Sequence, residues 1–190
     1  MRIVYIHNPK TGTTSIRKTL KDSGLQTPKQ RHIHLPIDHH LVKRMINRES
    51  YVFMTVRHPL ERAVSAFYFW ASSRQRSTPE FWVLQSLASG MGINEFYRAL
   101  DMQIAAQIVP HFQTQWSYIK ANPERVNKII KLEEIQEEWP KLLKDLKIDS
   151  VNLRHEFKTS HKSWEDELTR DVMSKLEDFY AIDFEKFEYE

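Results

Sequence analysis

Cysteine is absent from all 190 residues. That excludes disulfides, thiolate zinc sites and a thiol nucleophile, and it fits a reducing compartment. No apolar run approaches the roughly 20 residues that a membrane span needs. No signal-peptide pattern precedes the first apolar stretch, so the sequence reads as a cytoplasmic protein without a membrane span. Charge of one sign is missing too. With 28 basic and 25 acidic residues the net charge is +3, a mild preference for anionic ligands and no sign of a nucleic-acid-binding tail. There is no repeat, low-complexity tract or long linker. What is present is ordinary for a soluble globular chain: 41% hydrophobic and 28% charged residues, enough for one domain spanning 1–190 with a substantial core.

The most informative stretch is residues 1–20. Ile3-Val4-Tyr5-Ile6 reads as a buried strand, and His7-Asn8-Pro9-Lys10-Thr11-Gly12 as a tight turn. From Ser15 a helix follows, with Ile16 and Leu20 four apart on one face. Strand, turn and helix start together make an anion site, because the first helical N–H groups lack intrahelical partners and the helix dipole is positive there. Lys10 adds a full charge, Gly12 allows close backbone approach, and Thr11, Thr13, Thr14 and Ser15 add hydroxyl donors. The plainer reading is a Thr-rich β–turn–α connection.

Further along, residues 30–35 suggest a short second strand and 37–47 a helix. Tyr51-Val52-Phe53-Met54-Thr55-Val56 is the strongest strand signal, apolar or β-branched almost throughout. Arg57-His58-Pro59 follows it, and Pro59 suits the first position of a helix reaching about residue 71. Helical stretches are expected near 79–89 and 93–100, a strand at 126–132 and a helix through 146 that starts near Pro140. The last helix is capped by Ser163 and carries Trp164, Leu168, Val172, Leu176 and Phe179 as its core stripe. Residues 102–119 show no clear pattern. Strands alternating with helices mean an α/β fold with a central, mainly parallel sheet flanked by helices. In such sheets ligands bind at the C-terminal strand ends, where both Lys10 and Arg57 fall.

Pro-Lys-Thr-Gly-Thr-Thr-Ser at 9–15 does not match the nucleoside-triphosphate loop G-x-x-x-x-G-K-[S/T], because Lys10 precedes the one glycine. It resembles instead the 5′-phosphosulfate loop of sulfotransferases that use 3′-phosphoadenosine 5′-phosphosulfate (PAPS). Phe53 to Phe67, with Arg57, Pro59, Arg62 and Ser65, resembles their 3′-phosphate motif, although His58 stands where that family usually has Asp. The resemblance is nearest to Golgi-type carbohydrate sulfotransferases, including the uronyl group. It extends to His111-Phe112-Gln113-Thr114-Gln115, to Ile129-Ile130-Lys131-Leu132-Glu133 and to Asp183-Phe184-Glu185-Lys186-Phe187.

The resemblance implies a P-loop-like three-layer fold and transfer of a sulfonyl group from PAPS to an acceptor hydroxyl, on a small molecule or glycan, without a metal. Lys10 and the loop 11–15 would hold the 5′-phosphosulfate, Arg57 and Ser65 the 3′-phosphate, and Lys158, with Arg154 and Lys162, would reach the nucleotide from a late basic loop. Arginine suits phosphate because it meets it through two parallel hydrogen bonds; Arg62 is either a further ligand or a surface ion pair. An acceptor proton needs a base titrating near neutrality. In the uronyl group a His-x-His pair lies at nearly this distance before the arginine and its second histidine is the base, so the resemblance implies His34 in that role, with His32 and His111 in reserve. Two other functions stay open on the residues alone: a P-loop kinase using ATP and Mg²⁺, and a non-catalytic module that binds a nucleotide or sulfated glycan.

Overall fold

The computed structural model describes residues 2–24, 34–72, 79–148, 151–153 and 161–190. The elements in chain order are β1 (Arg2–Ile6), α1 (Thr13–Asp22), α2 (His40–Lys43), β2 (Ser50–Val56), α3 (Pro59–Ser72), α4 (Pro79–Gly90), α5 (Ile93–Ala99) and α6 (Met102–Ile108). After them come β3 (Lys128–Lys131), α7 (Ile135–Asp145), α8 (Trp164–Glu167) and α9 (Arg170–Phe187). The chain divides into two compact units, each built from two stretches. The first is Met1–Arg57 with Gln115–Lys158, and the second is His58–Thr114 with Thr159–Glu190.

The first unit holds the sheet. Among the described residues its three strands lie in the order β1-β2-β3, all parallel, with Ile6 opposite Met54 and Val56 opposite Lys131. Side chains alternate between faces along a strand. Ile3, Tyr5, Phe53 and Ile130 point to one face, where Ile16 and Leu20 of α1 and Ile135, Trp139, Leu142 and Leu143 of α7 cover them. Val4, Ile6, Val52, Met54 and Val56, on the alternate positions, are buried as well. A sheet covered on both faces selects continuous apolar runs, which is what β1 and β2 show.

Three expectations need correction here. Of the strand expected at 30–35, residues 30–33 lie outside the described part, and His34 to Pro36 run without regular structure. The helix expected over 37–47 is a single turn, α2, capped at Leu41 N–H by the His39 ring. Residues 36–39 form turns before it and Asn47-Arg48-Glu49 a loop after it, where Ser50 and Asn47 bond each other. The helix placed near Pro140 begins five residues earlier, so Pro140 is inside α7. Proline removes one backbone bond there. The buried stripe Ile135, Trp139, Leu142 and Leu143 holds the helix against the sheet despite it.

The second unit is helical. Leu60, Val64, Phe67 and Trp70 of α3 pack with Phe96 and Tyr97 of α5 and with Leu168, Val172, Leu176 and Tyr180 around α9. The expected final helix is broken at Leu168-Thr169 into α8 and α9. Its buried stripe then runs on through Tyr180, Asp183 and Phe187, while Phe179 is only partly buried. Residues 102–119, unreadable from pattern, form α6 and short 3₁₀ turns at Pro110–Phe112 and Trp116–Tyr118. Among the described residues no helix is long and apolar enough to cross a membrane.

Candidate active site

β1 ends at Ile6 and the chain turns at once, with Asn8 N–H bonded to Ile6 O at 3.1 Å. Two residues of the turn are left-handed, Lys10 at φ 68° and Gly12 at φ 76°. Left-handed residues in a turn direct successive N–H groups to one side, the arrangement that makes anion-binding nests. Glycine adopts such a φ without strain, whereas at Lys10 the same conformation costs about 1 kcal/mol. Gly12 is required twice over, since a Cβ there would lie 2.8 Å from Leu132 Cδ1. The first bond of α1 runs from Ile16 N–H to Gly12 O. The N–H groups of Thr13 and Thr14 therefore precede the helical ladder and face the positive end of the dipole. Helix α1 thus starts two residues earlier than its hydrophobic spacing suggests.

Thr11 is fully buried, and its hydroxyl donates to Asn8 O at 2.8 Å. Thr13 donates to the same carbonyl at 2.7 Å. Thr55, on β2, donates to Thr11 O at 2.8 Å and lies 2.6 Å from the Tyr5 hydroxyl. Those protons tie the loop to the sheet instead of facing a ligand. What Thr11 and Thr13 can offer an anion is backbone N–H. Burial raises the Tyr5 pKa, which keeps the phenol protonated inside this network.

Arg57 follows the last residue of β2 and is half-buried. Its backbone is held by Gln115, whose Oε1 accepts from Arg57 N–H at 2.9 Å and whose Nε2 donates to Arg57 O at 2.8 Å. The same Oε1 accepts from Asn8 Nδ2 at 2.9 Å. Burial first, and the Arg57 guanidinium second, push the Lys10 ammonium down to about 8. Two cations that raise each other's energy are brought together at adjacent strand ends. An anion bound between them relieves both.

His34 comes to the same end of the sheet. Its Nδ1 is 3.1 Å from His7 O. A carbonyl only accepts, so Nδ1 carries the proton, and in the neutral ring the basic lone pair then sits on Nε2. This is the tautomer that a proton acceptor requires.

Comparison with known proteins matches residues 1–190, the whole chain, to the sulfotransferase family. The chain belongs to the sulfotransferase family. Its enzyme class is the one its loop and arginine motifs led us to expect, and its reaction is transfer of a sulfonyl group. A search of curated proteins gives no match. Among solved structures, mouse sulfotransferase SULT7A1 complexed with PAP is similar over 97% of this chain and 84% of that one, with 14% identity and a TM-score of 0.57. At that identity the likeness establishes the fold, an α/β sulfotransferase fold.

The other candidates in this sulfotransferase separate clearly. Arg62 is no surface residue: it is 1% exposed and donates to His111 O at 3.2 Å and to Gln113 O. It also lies 4.0 Å from the Asp183 carboxylate and over the Tyr180 ring. That binds it into the second unit's core and removes it from the list of nucleotide ligands. The His111 ring stacks on Phe69 at 4.8 Å and meets Trp70 edge-on, which is packing. His58 stacks on Trp164 at 5.2 Å, between the edges of Phe184 and Tyr189. Ser65 is buried on α3, and the Lys162 N–H bonds Glu167. His32, Arg154 and Lys158 lie outside the described residues. Sequence reasoning missed Asn8, Thr55 and the role of Gln115. The one signal for them was that Thr55 and Gln115 stand inside stretches already singled out by resemblance, with Asn8 just ahead of another.

Proposed function

We propose that this sulfotransferase moves a sulfonyl group from PAPS to an acceptor hydroxyl on a carbohydrate. The observation that carries the reading is the pairing of Lys10 and Arg57 at neighbouring strand ends, close enough that the guanidinium helps hold the ammonium down to about 8. The residues fit the co-substrate: a helix start and a left-handed turn suit its 5′-phosphosulfate, and two cations suit a ligand with several negative charges. The name of the solved neighbour, a sulfotransferase complexed with PAP, supports the same nucleotide. Bound PAPS supplies the sulfonyl group, and its adenosine bisphosphate remainder is the leaving group.

The chain's own residues then have distinct tasks. Lys10, with the N–H groups of Thr11 to Thr14 and the Thr14 and Ser15 hydroxyls, stabilises charge that develops on the leaving phosphate. Arg57 holds the 3′-phosphate and so fixes the nucleotide, and the resemblance implies Ser65 and Lys158 as further nucleotide ligands. His34 Nε2 takes the acceptor's proton while the Nδ1–His7 bond holds the ring in place. The carbohydrate acceptor rests on the resemblance to the uronyl group.

Replacing the base separates chemistry from binding. His34→Gln should retain affinity for 3′,5′-adenosine bisphosphate within about threefold and lose roughly 10²–10⁴-fold in transfer of labelled sulfonate to a glycan panel. Full turnover in that variant would remove His34 from the mechanism. Binding without turnover in the unaltered protein, across every acceptor, would favour a non-catalytic module.

A further inference from the structure

Arg57 is one residue beyond the last rung of the sheet, since the pairing of β2 with β3 ends at Val56 and Lys131. Its peptide groups therefore have no neighbouring strand to bond. Gln115 supplies what the strand would have supplied: an acceptor for Arg57 N–H at 2.9 Å and a donor for Arg57 O at 2.8 Å. The orientation of the amide is fixed by chemistry. Oε1 meets two donors, Arg57 N–H and Asn8 Nδ2, and Nε2 meets a carbonyl. Asn8 is oriented by its nitrogen alone: Nδ2 faces two acceptors, Gln115 Oε1 at 2.9 Å and Thr55 O at 3.2 Å, while the buried Oδ1 has no hydrogen-bond partner among the described residues. Gln115, Asn8 and Thr55 are all fully buried. Asn8 O in turn receives the Thr11 and Thr13 hydroxyls. An unbroken line of hydrogen bonds thus leads from the Arg57 backbone to the loop that carries Lys10.

We infer that Gln115 is a positioning residue for nucleotide recognition, an amide clamp that sets Arg57 in register with the Lys10 loop through Asn8. The clamp touches no ligand itself. It rests on the reading of Arg57 as the 3′-phosphate ligand, and it gives the glutamine at 115 a definite task. A buried amide bonded, like that of Gln115, through both its oxygen and its nitrogen is rigid, and a rigid backbone aims a long side chain at one place. Without it the Arg57 peptide must find water or shift, and the guanidinium moves with it.

The test uses the discrimination between two nucleotides. Isothermal titration of the full chain with 3′,5′-adenosine bisphosphate and with adenosine 5′-monophosphate, which lacks the 3′-phosphate, gives the ratio of affinities. The unaltered protein should prefer the bisphosphate by roughly tenfold or more, the contribution expected of charge-assisted bonds to one phosphate. Gln115→Met keeps the length and removes the amide. It should bring that ratio down about tenfold with monophosphate affinity held within about twofold, since the loop contacts remain. General loss of stability would weaken both nucleotides alike and leave the ratio unchanged, and an unchanged ratio in folded Gln115→Met overturns the clamp. Where circular dichroism shows that variant unfolded, Gln115→Asn is read instead, since its amide is one methylene too short to span both Arg57 groups. The same fall in ratio is expected, and a retained ratio overturns the clamp. No preference in the unaltered protein would overturn the 3′-phosphate reading itself, and the clamp with it.

Discussion

Lys10 sits in a conformation and an environment that both oppose it. Its φ of 68° belongs to glycine, and burial together with Arg57 lowers its pKa from 10.5 to about 8. The sign of the second effect is testable. A lysine that releases its proton more easily when folded destabilises the fold while it carries its charge, and stability rises with pH wherever the unfolded chain binds more protons. The full cost applies below pH 8, shrinks as the pH rises from 8 to 10.5, and is gone above. A shift of that size corresponds to about 3 kcal/mol. Without nucleotide, Lys10→Met should therefore be more stable than the unaltered protein at pH 7, by up to that amount, and equal to it near pH 11. Urea titrations at the two pH values check this, and a variant less stable at pH 7 would contradict it. At the neighbouring turn position Gly12→Ala meets two obstacles, the left-handed φ and Leu132 at 2.8 Å. A loss of about 1–2 kcal/mol is expected from the backbone alone, and Leu132→Ala in addition should restore only the steric part. Complete rescue in chemical denaturation would show that the backbone is not strained.

Among the elements, α3 is anchored by one buried arginine. Arg62 reaches two carbonyls of the stretch after α6 and faces Asp183 on α9, which is itself fully buried. Removing one partner of a buried pair leaves the other charge in a poor environment, at a cost of about 3–5 kcal/mol. Arg62→Met should show that loss, and Asp183→Asn in the same chain should add much less than it does alone. Additive losses in the urea midpoints would mean that the two side chains act independently. Pattern at this scale was legible wherever a run was long and one-sided. β1, β2, α3 and α9 announced themselves because apolar residues repeat at strand or helix spacing. α6 and the turns at Pro110–Phe112 and Trp116–Tyr118 did not, because a two-turn helix running into three-residue turns sustains no single period. Pro140 misled for a local reason: a proline signals a helix start, and only the buried stripe from Ile135 shows that the helix is already under way.

At the scale of the whole molecule, each of the two compact units is assembled from separate stretches of a chain without linkers. The candidate site residues Lys10, Gly12 and Arg57 stood out in the sequence because short motifs carry them and fall at strand ends. The hydroxyl network under the loop and the Gln115 amide did not. Thr11, Thr13 and Thr55 reveal which way their protons point only when the sheet brings Asn8 and Tyr5 beside them. Arg62 shows the same limit from the other side, since only the buried Asp183 explains an arginine that sits among phosphate ligands in sequence. The central claim is that these strand ends form a site for a 3′-phosphorylated adenine nucleotide, and thermal unfolding tests it most directly. At about 100 times its dissociation constant, 3′,5′-adenosine bisphosphate should add roughly 2.7 kcal/mol, a rise of about 5–10 °C in Tm, and Arg57→Ala should abolish it. Stabilisation by ATP with Mg²⁺ and none by the bisphosphate would contradict the account.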